Sequence, residues 1–185
     1  MSQSAKTAMG GMITALSVVV LMPTALEVLV YALPAFAGML IMFSIIELNK
    51  KWAFGIYAAV SILSLLLVPN KEASILYAAF FGYYPLLKAF AESKLPKVAE
   101  YILKFAVFNI SMLLSYWALI KVLGMPFDEI MGIEGETGFM AKYALPILLG
   151  MGNVAFIMYD VAITRILTVY LNVWQKRFRK LFPFK

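Results

Sequence analysis

Six apolar runs follow one another through this chain with little between them, and each is long enough, or nearly so, to cross a bilayer. They cover residues 8–22, 27–48, 52–68, 73–91, 97–123 and 143–174. A helix crossing hydrocarbon needs about 20 such residues. A helix satisfies every backbone group within its own segment where there is no water. The pattern therefore predicts an all-α fold, an integral membrane bundle of six transmembrane helices in one domain, residues 1–185. Composition agrees: 63% of residues are hydrophobic, 14% are charged and the mean hydropathy is +0.88. Soluble domains run nearer about half apolar and a quarter charged.

The breaks between the runs carry the charge. Pro23-Thr24 ends the first run, and Asn49-Lys50-Lys51 separates the second from the third. Pro69-Asn70-Lys71-Glu72 follows the third; the end of the fourth carries Lys88, Glu92, Lys94 and Lys97, with Pro96 starting the next run. A loop over residues 124–142 holds Asp128, Glu129, Glu134 and Glu136, and a basic tail occupies residues 175–185. Lys and Arg in short loops stay on the cytoplasmic side. With both termini inside, nearly all the basic residues fall inside and the acidic loop falls outside. The expected location is the plasma membrane. Lys6 ahead of an apolar run has the look of a cleavable leader, but the run is long and is broken by Pro23 and Glu27. We read it as a span. Pro34, inside the second run, predicts a kink.

Chemistry is narrowed by what is missing. The chain has no Cys and no His, which excludes thiol nucleophiles, Cys/His metal sites, His-ligated haem and imidazole triads. It has no Gly-rich phosphate loop. We expect no enzyme activity, no metal and no cofactor. A net charge of +6 and a pI near 9.4 fit anionic lipid headgroups beside the spans rather than nucleic acid.

Asp160 and Arg165 lie within the last run, where an ionised side chain costs several kcal/mol unless it faces protein or a wet cavity. Asn153, seven residues before Asp160, and Thr164, four after, share its helical face. Asp160 is read either as a contact to a ligand, ion or partner, or as a structural bond, for example to Asn109 or Arg165. Five residues apart on one helix, Asp160 and Arg165 are poor partners for each other. Tyr83 and Tyr84 precede Pro85, which frees a carbonyl near Phe81 for a ligand or water, or simply kinks a packed helix. Asn109, Ser111 and Ser115 suit interhelical hydrogen bonds. Lys104 and Lys121, near the ends of the fifth run, are read as snorkelling to water. Glu27 and Glu72 sit at outer turns, as pocket-lining or merely solvated acids.

In the first run, Gly11 and Ala15 are small residues four apart, with Ala8 a turn earlier, a pattern that lets another helix approach closely. In length, six-helix layout and inward termini the chain resembles the S-components, the substrate-binding subunits of energy-coupling-factor (ECF) vitamin transporters. The resemblance implies a small-molecule, vitamin-like substrate-binding subunit without an ATP site of its own, served by a transmembrane coupling subunit and ATPases. It implies partner contact at Ala8, Gly11 and Ala15, and substrate contact by Glu27, Tyr83, Tyr84, Asn109, Asn153 and Asp160. Non-transporting relatives of the same layout, such as the MreD rod-shape scaffold, leave a scaffold as the alternative, and a stand-alone carrier as a third.

Overall fold

Local signals in the sequence set the element boundaries. A computed structural model describes residues 2–26, 29–126 and 139–175. The Ser2 hydroxyl accepts from the Ala5 N–H at 3.2 Å and starts α1, Gln3–Leu21. A 3-10 turn, Met22–Ala25, opens around Pro23. Helix α2 is Ala32–Glu47 and α3 is Lys50–Leu67. Asn49 caps α3 by accepting from Trp52 N–H, as short polar side chains do at helix starts. The Lys71 ammonium donates to the Leu65 and Val68 carbonyls at 2.9 and 3.0 Å, closing the end of α3.

Asn70 caps α4, Lys71–Leu76, and a π-turn, Tyr77–Phe81, leads through Gly82 and Tyr83 to α5, Tyr84–Lys94. These three pieces form one bent helical run with right-handed backbone throughout. Helix α6 is Lys97–Lys121 and α7 is Phe139–Val169, continued by a second π-turn, Tyr170–Trp174.

The described residues contain helices and no strand. Four helical segments are long and apolar enough to cross a membrane: Gln3–Thr24, Lys50–Leu67, Lys97–Lys121 and Tyr143–Trp174. Helix α2 is shorter, at 16 residues. The reason is where it starts. Pro34 falls in its first turn, where a missing N–H leaves no bond unmade, so Pro34 opens the helix and does not kink it. The bend belongs to the fourth run, where the π-turn and Pro85 coincide.

Two buried clusters hold the bundle. Val18, Leu21, Ala37, Ile41, Ile56 and Val60 pack α1, α2 and α3 together. The other is aromatic and joins the bent run to α6 and α7 through Phe80, Tyr84, Phe108, Phe156 and Tyr159. The Phe108 and Phe156 rings stack at 4.8 Å. Outward faces are apolar too: Met151, Val154, Met158 and Val161 form an exposed stripe along α7, the composition expected of a surface toward acyl chains.

Candidate functional site: a buried ion network beneath an aromatic cleft

Two ladders of charge, one on α5 and one on α6, meet the single acid of α7. Lys88 and Glu92 are four residues apart on α5 and their charged groups lie 2.7 Å apart. Glu100 and Lys104 are four apart on α6, at 2.8 Å. This spacing puts each pair on one helix face. Asp160 of α7 closes the set. The Lys88 ammonium lies 2.5 Å from Asp160 Oδ1, and the Lys104 ammonium 3.3 Å from the same atom and 3.0 Å from Glu92 Oε1. Lys97, exposed at the rim, donates to Glu100 at 3.1 Å.

Lys88 and Lys104 are each 1% exposed and Glu100 2%. A charge at that depth is tolerated only when paired and hydrogen-bonded. Three lysines face three carboxylates, and each buried ammonium has at least two acceptors. The Tyr84 hydroxyl donates to Asp160 Oδ1 as well. The network therefore clasps α5, α6 and α7.

Its membership differs in part from the sequence expectation. Asp160 finds Lys88 and Lys104, not Asn109 or Arg165. Lys104 is no snorkeller; it is buried among acids. Glu100, Lys88 and Glu92 were not read as site residues, and the two four-residue spacings were the signal available for them.

The other candidates sit elsewhere. Asn109 and Asn153 exchange reciprocal amide hydrogen bonds at 3.0 Å between α6 and α7. Each also donates to the carbonyl four residues back. Tyr83 and Ser111 share a hydroxyl–hydroxyl bond at 2.6 Å. Thr164 bonds the Asp160 carbonyl of its own helix, and Arg165 is exposed. Glu72 accepts from the Tyr31 hydroxyl at 2.9 Å. Glu27, most of the acidic loop and nearly all of the basic tail lie outside the described residues. Ala8, Gly11 and Ala15 are exposed, and nothing lies within 4 Å of where a Cβ on Gly11 would stand. The opposite face of α1, with Met9, Gly10 and Val18, is the packed one.

Above the network, between α2, the first π-turn, α6 and α7, opens a cleft of about 630 Å³. Tyr31, Phe81, Phe108, Met112, Phe156 and Tyr159 are among its walls, and none of the described residues that line it is charged. Its size is that of small-molecule sites, which run about 300–1,000 Å³. Tyr84 joins the two layers: its hydroxyl touches Asp160, and its ring lies 5.3 and 5.7 Å from those of Phe156 and Tyr159. The Tyr159 hydroxyl is buried and has no hydrogen-bond partner among the described residues. Comparison with known protein families, with curated proteins and with solved structures returns no match for this chain.

Proposed function

We propose that this chain is the small-molecule-binding subunit of a membrane transporter, six times across the membrane with both ends inside, and dependent on partner subunits for ATP hydrolysis. The observation carrying this reading is the aromatic cleft, a ligand-sized space bounded by helices from both halves of the chain. The ion network below it is closed on itself and acts as the clamp that holds α5, α6 and α7 around that space. The exposed small-residue face of α1 is where a coupling subunit would dock, and its movement would carry the loaded cleft across the membrane.

A second reading, a scaffold without a ligand, draws on the same exposed Ala8, Gly11 and Ala15. The two part company in native mass spectrometry of gently extracted protein. A bound solute released on activation, together with a ligand-dependent rise in melting temperature, is the outcome expected of the binding subunit. Protein that carries only lipid and melts identically with every solute tested removes it.

A further inference from the structure

We infer that the ligand of the cleft is an organic cation, with an apolar body that fills the aromatic space and a protonated amine that reaches Glu72 behind Tyr31. The inference rests on the cleft being the substrate site and names the class of that substrate.

Glu72 stands apart from the acids of the network. Glu92, Glu100 and Asp160 each have a lysine within ion-pair distance. Glu72, half-buried in the first turn of α4, has none among the described residues. Its Oε1 accepts from the Tyr31 hydroxyl at 2.9 Å, and nothing among the described residues donates to Oε2. Lys71 beside it is turned to the end of α3, where its ammonium holds the Leu65 and Val68 carbonyls. A tyrosine hydroxyl shares the charge of a carboxylate without cancelling it; an ammonium cancels it.

Geometry ties that acid to the cleft. Tyr31 opens α2 and lines the cleft, and its hydroxyl is the link to Glu72. Tyr116 of α6, another wall residue, lies alongside the Tyr31 hydroxyl. Glu72 also lines a second opening, of about 400 Å³, with Asn70, Leu123 and Met125. The carboxylate thus lies one side chain behind an apolar, ligand-sized space, with two tyrosines at the join. A protonated amine finds there an oxygen to accept its N–H and aromatic rings, whose faces attract cations. A carboxylate brought to the same point meets like charge. The segment joining α6 to α7 at that end, residues 122–138, holds Asp128, Glu129, Glu134 and Glu136 and no lysine or arginine. Such a charge balance draws cations and repels anions.

Full-length protein in detergent micelles is titrated by calorimetry with 4-phenylbutylamine, 4-phenylbutanol and 4-phenylbutyrate, with empty micelles as the blank. The three share a body and differ in the charge of one end. The amine is expected to bind at least about tenfold more tightly than the alcohol, the worth of one hydrogen bond to a charged group. The butyrate is expected not to bind. Glu72→Gln keeps an acceptor for Tyr31 and removes the charge. It is expected to bring the amine down to the affinity of the alcohol and to leave the alcohol unchanged, whereas a carboxylate of purely structural value would move both alike or neither. Ala155→Phe, which fills the cleft from α7, is expected to abolish both.

Equal binding of amine and alcohol to the parent protein overturns the inference with no variant needed. So does an amine affinity unaltered in Glu72→Gln, or no binding of the amine at all. Butyrate that binds the parent protein and not Ala155→Phe leaves the cleft a solute site and sinks the cation alone. Amine binding lost in Glu72→Gln and kept in Ala155→Phe does the reverse: the carboxylate takes the cation without the cleft, and the transport reading loses the observation that carries it.

Discussion

Asp160 is the residue on which three helices converge, and its value lies in balance. Converting it to Asn removes one of three negative charges opposite three lysines and leaves Lys88 and Lys104 buried with an acceptor too few. Removing one partner from a buried pair costs about 3–5 kcal/mol, whereas replacing both partners by apolar groups is far milder. Asp160→Asn is therefore expected to lower the melting temperature of the purified protein sharply, and Lys88→Met with Asp160→Leu to recover most of the loss. Should Asp160→Asn melt like the parent protein while losing a bound solute, Asp160 would be a ligand contact and the clamp would not exist. The sequence pointed to Asp160 because a lone acid in an apolar run must have a reason. It did not reveal the partners. Hydropathy places Lys88 and Lys104 at the ends of runs, where a lysine normally reaches water, and only packing shows α5 and α6 turning those ends toward α7. Asn109 satisfies the need for glue that was anticipated, but its partner is Asn153, leaving none for Asp160.

At the scale of elements, the bent fourth run positions both layers. Tyr77–Phe81 winds as a π-turn, and Tyr57 of α3 donates from its hydroxyl to the Ala78 carbonyl at 2.8 Å. A π-turn shifts the residues after it around the helix axis, so Phe80 and Phe81 reach the cleft while Tyr84 and Lys88 reach the network. Glycine makes the approach of neighbouring elements feasible at two points. A Cβ on Gly82 would stand 2.6 Å from the Tyr57 ring, and one on Gly38 would strike the Phe81 carbonyl. Gly38→Ala and Gly82→Ala are each expected to destabilise the protein by about 1–3 kcal/mol, the usual cost of overpacking. Gly11→Ala, with open space around it, is expected to leave the melting temperature of the isolated chain unchanged. A Gly38→Ala protein as stable as the parent would show that α2 does not press on the bent run. Pro85 announced a special point in this run, since proline frees a carbonyl wherever it falls. The π-turn itself carries no sequence mark that separates it from ordinary helix, and Pro34 misled because its effect depends on where the helix begins.

The two layers follow one another along the helices. Helix α6 runs from the network, at Glu100 and Lys104, to the cleft, at Phe108, Met112 and Tyr116; α7 runs the other way, from Leu148 through Tyr159 to Asp160. If six rods alternate in direction, the start of α1, the turn at Asn49, the turn at Pro96 and the end of α7 share the network end. The turns at Pro23 and Pro69 share the cleft end. The basic residues cluster at the first of these, so the network end is expected in the cytoplasm. The chain contains no Cys, which makes single introduced cysteines unambiguous reporters. Pro69→Cys is expected to react with a membrane-impermeant maleimide in intact cells, and Ser2→Cys and Ser93→Cys only after the membrane is opened. The reverse pattern would place the cleft toward the cytoplasm, and the proposed binding subunit would then collect from inside. Reaction of Pro69→Cys and Ser93→Cys from the same side would mean that the bent run between them returns without crossing.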